Sequence, residues 1–368
     1  MRETTAWLDL ASPSHPLFFE GLLADITDVR FRTSVRRKTE TAALAREAGF
    51  EFELVGRDFD NVALRTIGVP LRTVQLGFQA PSADVSLSAR NAMCVLASRA
   101  RGMPSIHFSD NDITAYAETP LVERLFCRFR SYATRHVVPS AFRTSELTRW
   151  GVDPDRIHTY DGYKEDIYVA NFEPDESFTE ALPFDRYVVV RPEALGAAYV
   201  DESETLVPAL LRALRDAGTN VVYLPRRPAD RPHAEPFDDD RVYVPDGALN
   251  GLQLAWHSDG MLTGSGTMAR EAACMGKPAV SFFPGPLLSV DRQMVADGMV
   301  FHSRDPDEIV DHLAPAGGVE TEPDLDRSIR VRREVSRLVR ALIDDPIDPD
   351  LDRTDGVLDE RPPRADGR

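Results

Sequence analysis

The sequence predicts an α/β protein with two doubly wound parallel-sheet domains. Three observations predict this. The chain has 368 residues, more than one hydrophobic core usually serves. Short apolar runs of strand character alternate with helical patterns that stop at glycine. That rhythm breaks once, in an acidic, aromatic and turn-rich stretch, and then restarts. The expected organisation is therefore a first domain over 1–165, a connection over 166–184, a second domain over 185–343 and an acidic tail over 344–368.

In the first domain, residues 4–11 form a strand candidate that runs into Ser12-Pro13-Ser14-His15-Pro16. A helix candidate over 17–23 follows. A strand over 28–33 precedes a helix over 39–48 ended by Gly49, and 52–55 is the next strand. Residues 83–87 form a strand, 90–101 a helix stopped by Gly102, and 105–108 a strand that leads into Ser109-Asp110-Asn111-Asp112. A short strand at 137–138 precedes Pro139. In the second domain, strands at 187–191, 221–224, 242–244, 260–263 and 279–283 alternate with helices at 204–217 and 267–275. A charged helix over 326–343 closes the pattern. The tail is acidic, Pro-rich and almost without large apolar residues, which predicts disorder.

Composition narrows the function classes. Sixty acidic residues against 43 basic ones give a net charge of -17, which argues against nonspecific nucleic-acid binding. Only Lys38, Lys164 and Lys277 are lysines, so the other 40 basic residues are arginines. An acidic, Lys-poor, Arg-rich chain has the character of a salt-adapted archaeal protein, or of an acidic mesophilic one whose GC-rich codons raise arginine. At molar salt the screening length falls to about 3 Å and carboxylate repulsion fades. Cys94, Cys127 and Cys274 are far apart and form no metal-type or disulfide pattern. No apolar run is long enough for a membrane span and no signal-peptide pattern stands at the start. A cytoplasmic setting is expected.

The strongest constellation is Thr263-Gly264-Ser265-Gly266-Thr267 with Glu271 one turn on, followed by Met275-Gly276-Lys277-Pro278. A strand ends, small residues turn the chain, and a helix begins. Its free N–H groups and partial positive charge suit an anion. Ser265 and Thr267 add hydroxyls, and Glu271 lies on the face near Thr267. An ordinary turn with a helix cap is the structural alternative.

This stretch resembles the nucleotide loop of GT-B proteins. UDP-N-acetylglucosamine 2-epimerases carry Thr-Asp-Ser-Gly-Gly-Ile-Gln-Glu-Glu-Ala, which aligns without a gap to Thr263 through Ala272. Their Leu-Gly-Lys-Pro is similar to Met275 through Pro278. The resemblance implies two Rossmann-like domains of GT-B type, with Ser265 on a diphosphate, Glu271 on a ribose, and Gly266 and Thr267 at the phosphate-facing helix end. Along roughly residues 5–340 the chain also resembles the largely archaeal family called domain of unknown function 354. That likeness rests on its opening Trp7-Leu8-Asp9-Leu10-Ala11-Ser12-Pro13-Ser14-His15, on Phe108 through Asp112, and on Val190-Arg191-Pro192.

Other candidates lie where strands end, the usual ligand edge of open α/β sheets. Asp9, Ser14 and His15 follow the first strand, and His15 has the chemistry of a general base or a place in capping and packing the helix that follows. Asp110 follows another strand; its carboxylate could do acid–base work or sit in a solvated turn. The epimerases' catalytic Glu falls on Ser109 and their upstream Asp near Leu87-Ser88-Ala89, so both acids are missing here. Arg191 ends the first strand of the second domain and could pair with a diphosphate or form an interdomain salt bridge. Arg226 and Arg227 end the next strand. Gln293 stands where GT-B proteins place a polar residue that reaches the sugar or nucleotide. No metal-ligand spacing occurs on the donor side.

These expectations amount to a glycosyltransferase that takes a UDP-linked or similar nucleotide-sugar, with no other cofactor, and a sugar or lipid-linked acceptor. His15 or Asp110, supported by Asp9, would take the acceptor's proton. The alternatives are an epimerase and a catalytically inactive nucleotide-sugar binder.

Overall fold

The structure, a computed structural model, describes residues 3–37, 39–57, 62–116, 121–193, 205–237, 241–313 and 323–345. The acidic tail expected to be disordered lies almost wholly outside the described residues.

The first unit is a seven-stranded, fully parallel sheet. Its strands are β1 (Thr5–Leu10), β2 (Arg30–Arg37), β3 (Phe52–Arg57), β4 (Val85–Ala89), β5 (Ser105–Phe108), β6 (Arg135–Pro139) and β7 (Ile157–Tyr160). They stand in the order β3-β2-β1-β4-β5-β6-β7. The crossovers carry α1 (His15–Leu23), α2 (Thr39–Glu47), α3 (Val62–Gln79), α4 (Ala92–Ala100), α5 (Leu121–Arg130) and the short α6 (Ser145–Thr148). The second unit repeats the scheme with β8 (Val188–Arg191), β9 (Val221–Tyr223), β10 (Val242–Tyr243), β11 (Gly260–Thr263), β12 (Ala279–Ser281) and β13 (Phe301–His302), ordered β10-β9-β8-β11-β12-β13. Its helices are α8 (Val207–Asp216), α9 (Gly251–His257), α10 (Gly266–Cys274), α11 (Ser289–Ala296) and α12 (Pro306–Leu313). The central strands are continuous apolar runs such as Val188-Val189-Val190 because helices cover both faces of each sheet.

Two helices tie the units together. The first, α7 (Lys164–Val169), was read on sequence as part of the junction between domain and connection; it is a short, largely buried helix that packs on α1 and on α10. Its start is fixed by a reciprocal cap, in which the Asp166 carboxylate accepts the Tyr163 N–H at 2.8 Å. The second, α13 (Asp326–Asp344), follows the second unit in sequence but returns to the first. Val331, Val335 and Val339 enter the same core as Leu8, Phe19 and Leu22. Ser336 donates to the Leu22 carbonyl at 2.7 Å. The apolar i, i+4, i+8 spacing of those valines is the amphipathic signature that directs the helix there.

Candidate functional site

In each sheet the strand order reverses once, between β1 and β4 and between β8 and β11. Ligands of such sheets bind outside the strand carboxyl ends at this reversal. The two reversals look onto one cleft. It holds a cavity of about 270 Å³ bounded by Asn111 and Tyr116 of the first unit and by Ser265, Thr267, Arg270 and Asp291 of the second.

The second-unit wall is the loop from β11 into α10. The Gly264 N–H bonds to the Arg191 carbonyl at 3.0 Å, which draws the loop against the end of β8. A Cβ at Gly264 would collide with the Glu193 backbone, so glycine is required for this approach. Ser265 caps α10 in extended conformation, but its side chain makes no capping hydrogen bond. The first N–H groups of the helix, which have no intrahelical acceptors, are thus left uncapped at the cavity. Arg191 ends β8 beside them. Its guanidinium makes no hydrogen bond or ion pair among the described residues. Burial lowers its pKa, and the Glu271 carboxylate opposes that shift.

Glu271 sits one turn into α10, half-buried, and accepts the Tyr168 hydroxyl of α7 at 2.7 Å. Burial pushes its carboxyl up to about 7; the Tyr168 hydrogen bond opposes the rise and Glu165 adds to it. Next to it, buried Arg270 donates to Glu165 at 2.9 Å and to Asp291 at 2.7 Å. Lys164, adjacent in α7, donates to Asp110 at 2.9 Å. Opposite charges therefore alternate across the cleft from Asp110 through Lys164, Glu165 and Arg270 to Asp291, and neutralise one another where water is scarce.

On the first-unit wall, Asp110, His15, Ser14, Arg90, Ser109 and Lys164 share a cavity of about 40 Å³. Burial alone would raise Asp110, yet Lys164 and Arg90 hold its carboxyl well below the usual carboxylate range. Arg90 has a φ of 43°, unusual for a side-chain-bearing residue, and its guanidinium reaches the Asn111 side chain. Strain of this kind concentrates at functional sites. His15 opens α1, and its Nδ1 accepts the Ala11 N–H at 3.1 Å. Burial, then Lys164, push its pKa down to about 4. The neutral ring therefore carries its proton on Nε2 and presents a donor. Through Nδ1, His15 ties the β1 end to the start of α1.

The expectation for Asp9 is corrected. It is fully buried in β1 and takes a bidentate pair from Arg72 of α3, with both bonds at 2.9 Å. Ser34 donates to it at 2.6 Å and Asn91 at 2.6 Å. With every lone pair engaged it braces β1 against β2, α3 and α4, and has no proton-transfer role. Asp112 serves as a clamp between the units: its carboxylate accepts the Ser289 N–H at 3.1 Å and the Arg143 N–H at 3.3 Å. Gln293 is exposed on α11 and donates to Asp297 at 2.8 Å, away from the cavity; Asp291 lines the cavity in its place. Arg226 does line it, held by the Pro192 carbonyl at 2.8 Å, whereas Arg227 pairs with Asp230.

The structure thus brings Ser265, Gly266 and Thr267 together on one wall of the cavity, with Arg191 and Glu271 adjoining that loop but outside the cavity lining, sets His15 with Asp110 on the other side, and leaves Asp9 and Gln293 out. Reading the sequence missed Lys164, Glu165, Tyr168 and Arg270 as site residues. One signal was available: Lys164 is one of three lysines in a chain that otherwise uses arginine. Among the described residues, no cluster of three or more His, Cys, Asp or Glu side chains is placed to hold a metal ion.

Comparison with known proteins agrees with this architecture. The chain superposes on the UDP-GlcNAc 2-epimerase of Neisseria meningitidis, solved with UDP-GlcNAc, at a TM-score of 0.71 and 13% identity over 93% of this chain and 100% of that one. It superposes on HepE of Anabaena, solved with UDP and glucose, at 0.62 and 12% identity over 93% and 100%. At such identities the likeness is one of fold, the two-domain GT-B arrangement. An uncharacterized protein of Methanocaldococcus jannaschii is 30% identical over 127 residues, 34% of this chain and 36% of its own, so the match spans about a third of that relative's length. The model of a family described as protein of unknown function, DUF354, matches residues 4–334, and the chain belongs to that family.

Proposed function

We propose that this chain is a GT-B-type glycosyltransferase that takes its sugar from a UDP-linked or similar nucleotide-sugar. One observation carries the reading: the uncapped amino end of α10 opens on the 270 Å³ cavity through Ser265, Gly266 and Thr267, next to the end of β8 that carries Arg191. Helix N–H groups and a guanidinium suit a diphosphate, and the Glu271 carboxyl one turn on suits the ribose hydroxyls. The chemistry is a displacement at the sugar carbon. An acceptor hydroxyl, hydrogen-bonded to the Asp110 carboxylate and oriented by the His15 Nε2–H, attacks that carbon and loses its proton to Asp110. The bond to the diphosphate breaks, and the departing negative charge is received by the α10 amino end and Arg191. Lys164 keeps Asp110 ionised before the acceptor arrives, and Glu165 and Arg270 link this carboxylate to the donor loop.

The test is a thermal-shift screen with UDP-, GDP-, CDP- and ADP-sugars on wild type and Glu271→Ala. A shift with one nucleotide that disappears in the variant supports the donor site and names the base. No shift with any of them overturns the reading. A nucleotide-sugar whose sugar is inverted without an acceptor would make the protein an epimerase.

A further inference from the structure

The helical layer on the outer face of the first unit is apolar on the wrong side. In α3 the stripe Arg72, Leu76 and Ala80 points inward and is buried. The adjacent stripe Leu71, Val74 and Phe78, at the same helical spacing, is exposed, and Phe78 is 87% exposed. Across α4, which packs on both α3 and α5, Leu121, Val122 and Leu125 of α5 are exposed as well, Leu121 by 80%. A surface helix ordinarily turns a polar face to water, and a wide exposed apolar face marks an interaction site.

Charge identifies the kind of partner. In a chain with 60 acidic residues, Asp84 is the only one between Val62 and Ser109. The exposed Arg124 of α5 stands among the apolar stripes; Arg99 of α4 and the exposed Arg128 of α5 flank the Tyr132 ring at 4.8 and 5.2 Å, Arg128 also donating to the Trp150 carbonyl at 2.6 Å; and the single acid of α5, Glu123, is engaged by Arg130 at 2.7 Å. An acid-poor, arginine-bearing, apolar face on a molecule of net charge -17 fits a partner that is anionic and has an apolar interior. Two copies of this chain meeting by this face would set arginine against arginine.

We propose that the α3–α4–α5 face docks the protein on an anionic lipid surface. The leucine, valine and phenylalanine side chains enter the boundary between headgroups and acyl chains, and the exposed Arg124 and Arg128 pair with lipid phosphates. Leu121 and Val122 begin the helix that follows the β5 end, so the cleft is held close to the bilayer. The inference stands apart from the nucleotide reading, because it needs no donor.

The experiment is co-sedimentation of the full chain with vesicles of phosphatidylcholine alone or mixed with phosphatidylglycerol, with light scattering run in parallel. The wild type is expected to bind the mixed vesicles only, and about 1 M NaCl is expected to weaken binding, since the screening length is then about 3 Å. Leu121→Asp/Leu125→Asp and, separately, Phe78→Asp should each lower the bound fraction at least about tenfold with thermal unfolding unchanged. Equal binding to both vesicle types, no binding to either, or a dimer that these variants split would each overturn the proposal; the last would assign the face to a second copy.

Discussion

Replacing Glu271 by Gln should make the fold more stable at alkaline pH and the donor site weaker. The carboxyl sits at about 7 in the folded chain against an ordinary 4.5, because burial disfavours its charge. Each unit corresponds to about 1.4 kcal/mol, so full ionisation costs the fold at most ~3.5 kcal/mol. Solvent in the open cleft reduces this to about 1–3 kcal/mol. The sign follows from the raised value. The contribution is intact below 4.5, where the group is neutral in both states, and is lost as pH rises through about 7. Gln is neutral throughout and keeps an oxygen for the Tyr168 hydroxyl. Urea unfolding of both proteins between about pH 4.5 and pH 8 should therefore show no difference at the acid end and about 1–3 kcal/mol in favour of Glu271→Gln at the other. Nucleotide affinity should fall about 10- to 100-fold, the worth of hydrogen bonds to a charged group. A stability difference that does not change with pH would refute the account of Glu271 as a strained, ligand-ready carboxylate.

Three further outcomes are expected. His15, held down to about 4, contributes stability above 6.5 that is lost as pH falls toward 4; wild type should lose up to ~3 kcal/mol more than His15→Gln over that range, and the His15 ring resonance should not titrate near neutrality. Gly264→Ala places a Cβ 2.6 Å from the Glu193 nitrogen; about 1–3 kcal/mol of overpacking should appear as a lower Tm, together with loss of any nucleotide-induced shift. Arg72→Met strands the buried Asp9 charge and should cost about 3–5 kcal/mol in denaturant unfolding, most of it recovered in the double variant Asp9→Asn/Arg72→Met.

Much of the fold was legible because its signals are local. Strands β1, β5 and β11 are short apolar runs, and helices that stop at Gly49 and Gly276 announce their ends through a residue that accepts positive φ. Helix α3 was not legible because Gly68, Pro70 and Gly77 interrupt its sequence with residues that usually end a helix. Helix α7 hid in a stretch whose aromatic and acidic residues read as turn, since its stability comes from tertiary contacts with α1 and α10. The donor loop was visible because turn, helix start and Glu271 fall within nine residues. The role of Asp9 was not, because its partner Arg72 lies 63 positions away. The same holds for Arg270, whose meaning depends on Glu165 across the cleft, 105 positions earlier.

The return of α13 to the first unit has a mechanical consequence. The polypeptide passes between the units twice, once after α7 and once before α13, so the first unit is not a contiguous segment and the second is inserted within it. Cutting the chain after residue 325 would strip Val331, Val335 and Val339 from the first unit's interior and not merely trim an end. The two passages are also fastened to each other: Ser328 at the start of α13 donates to the Asp166 carboxylate of α7 at 2.8 Å, so the two crossings lie side by side.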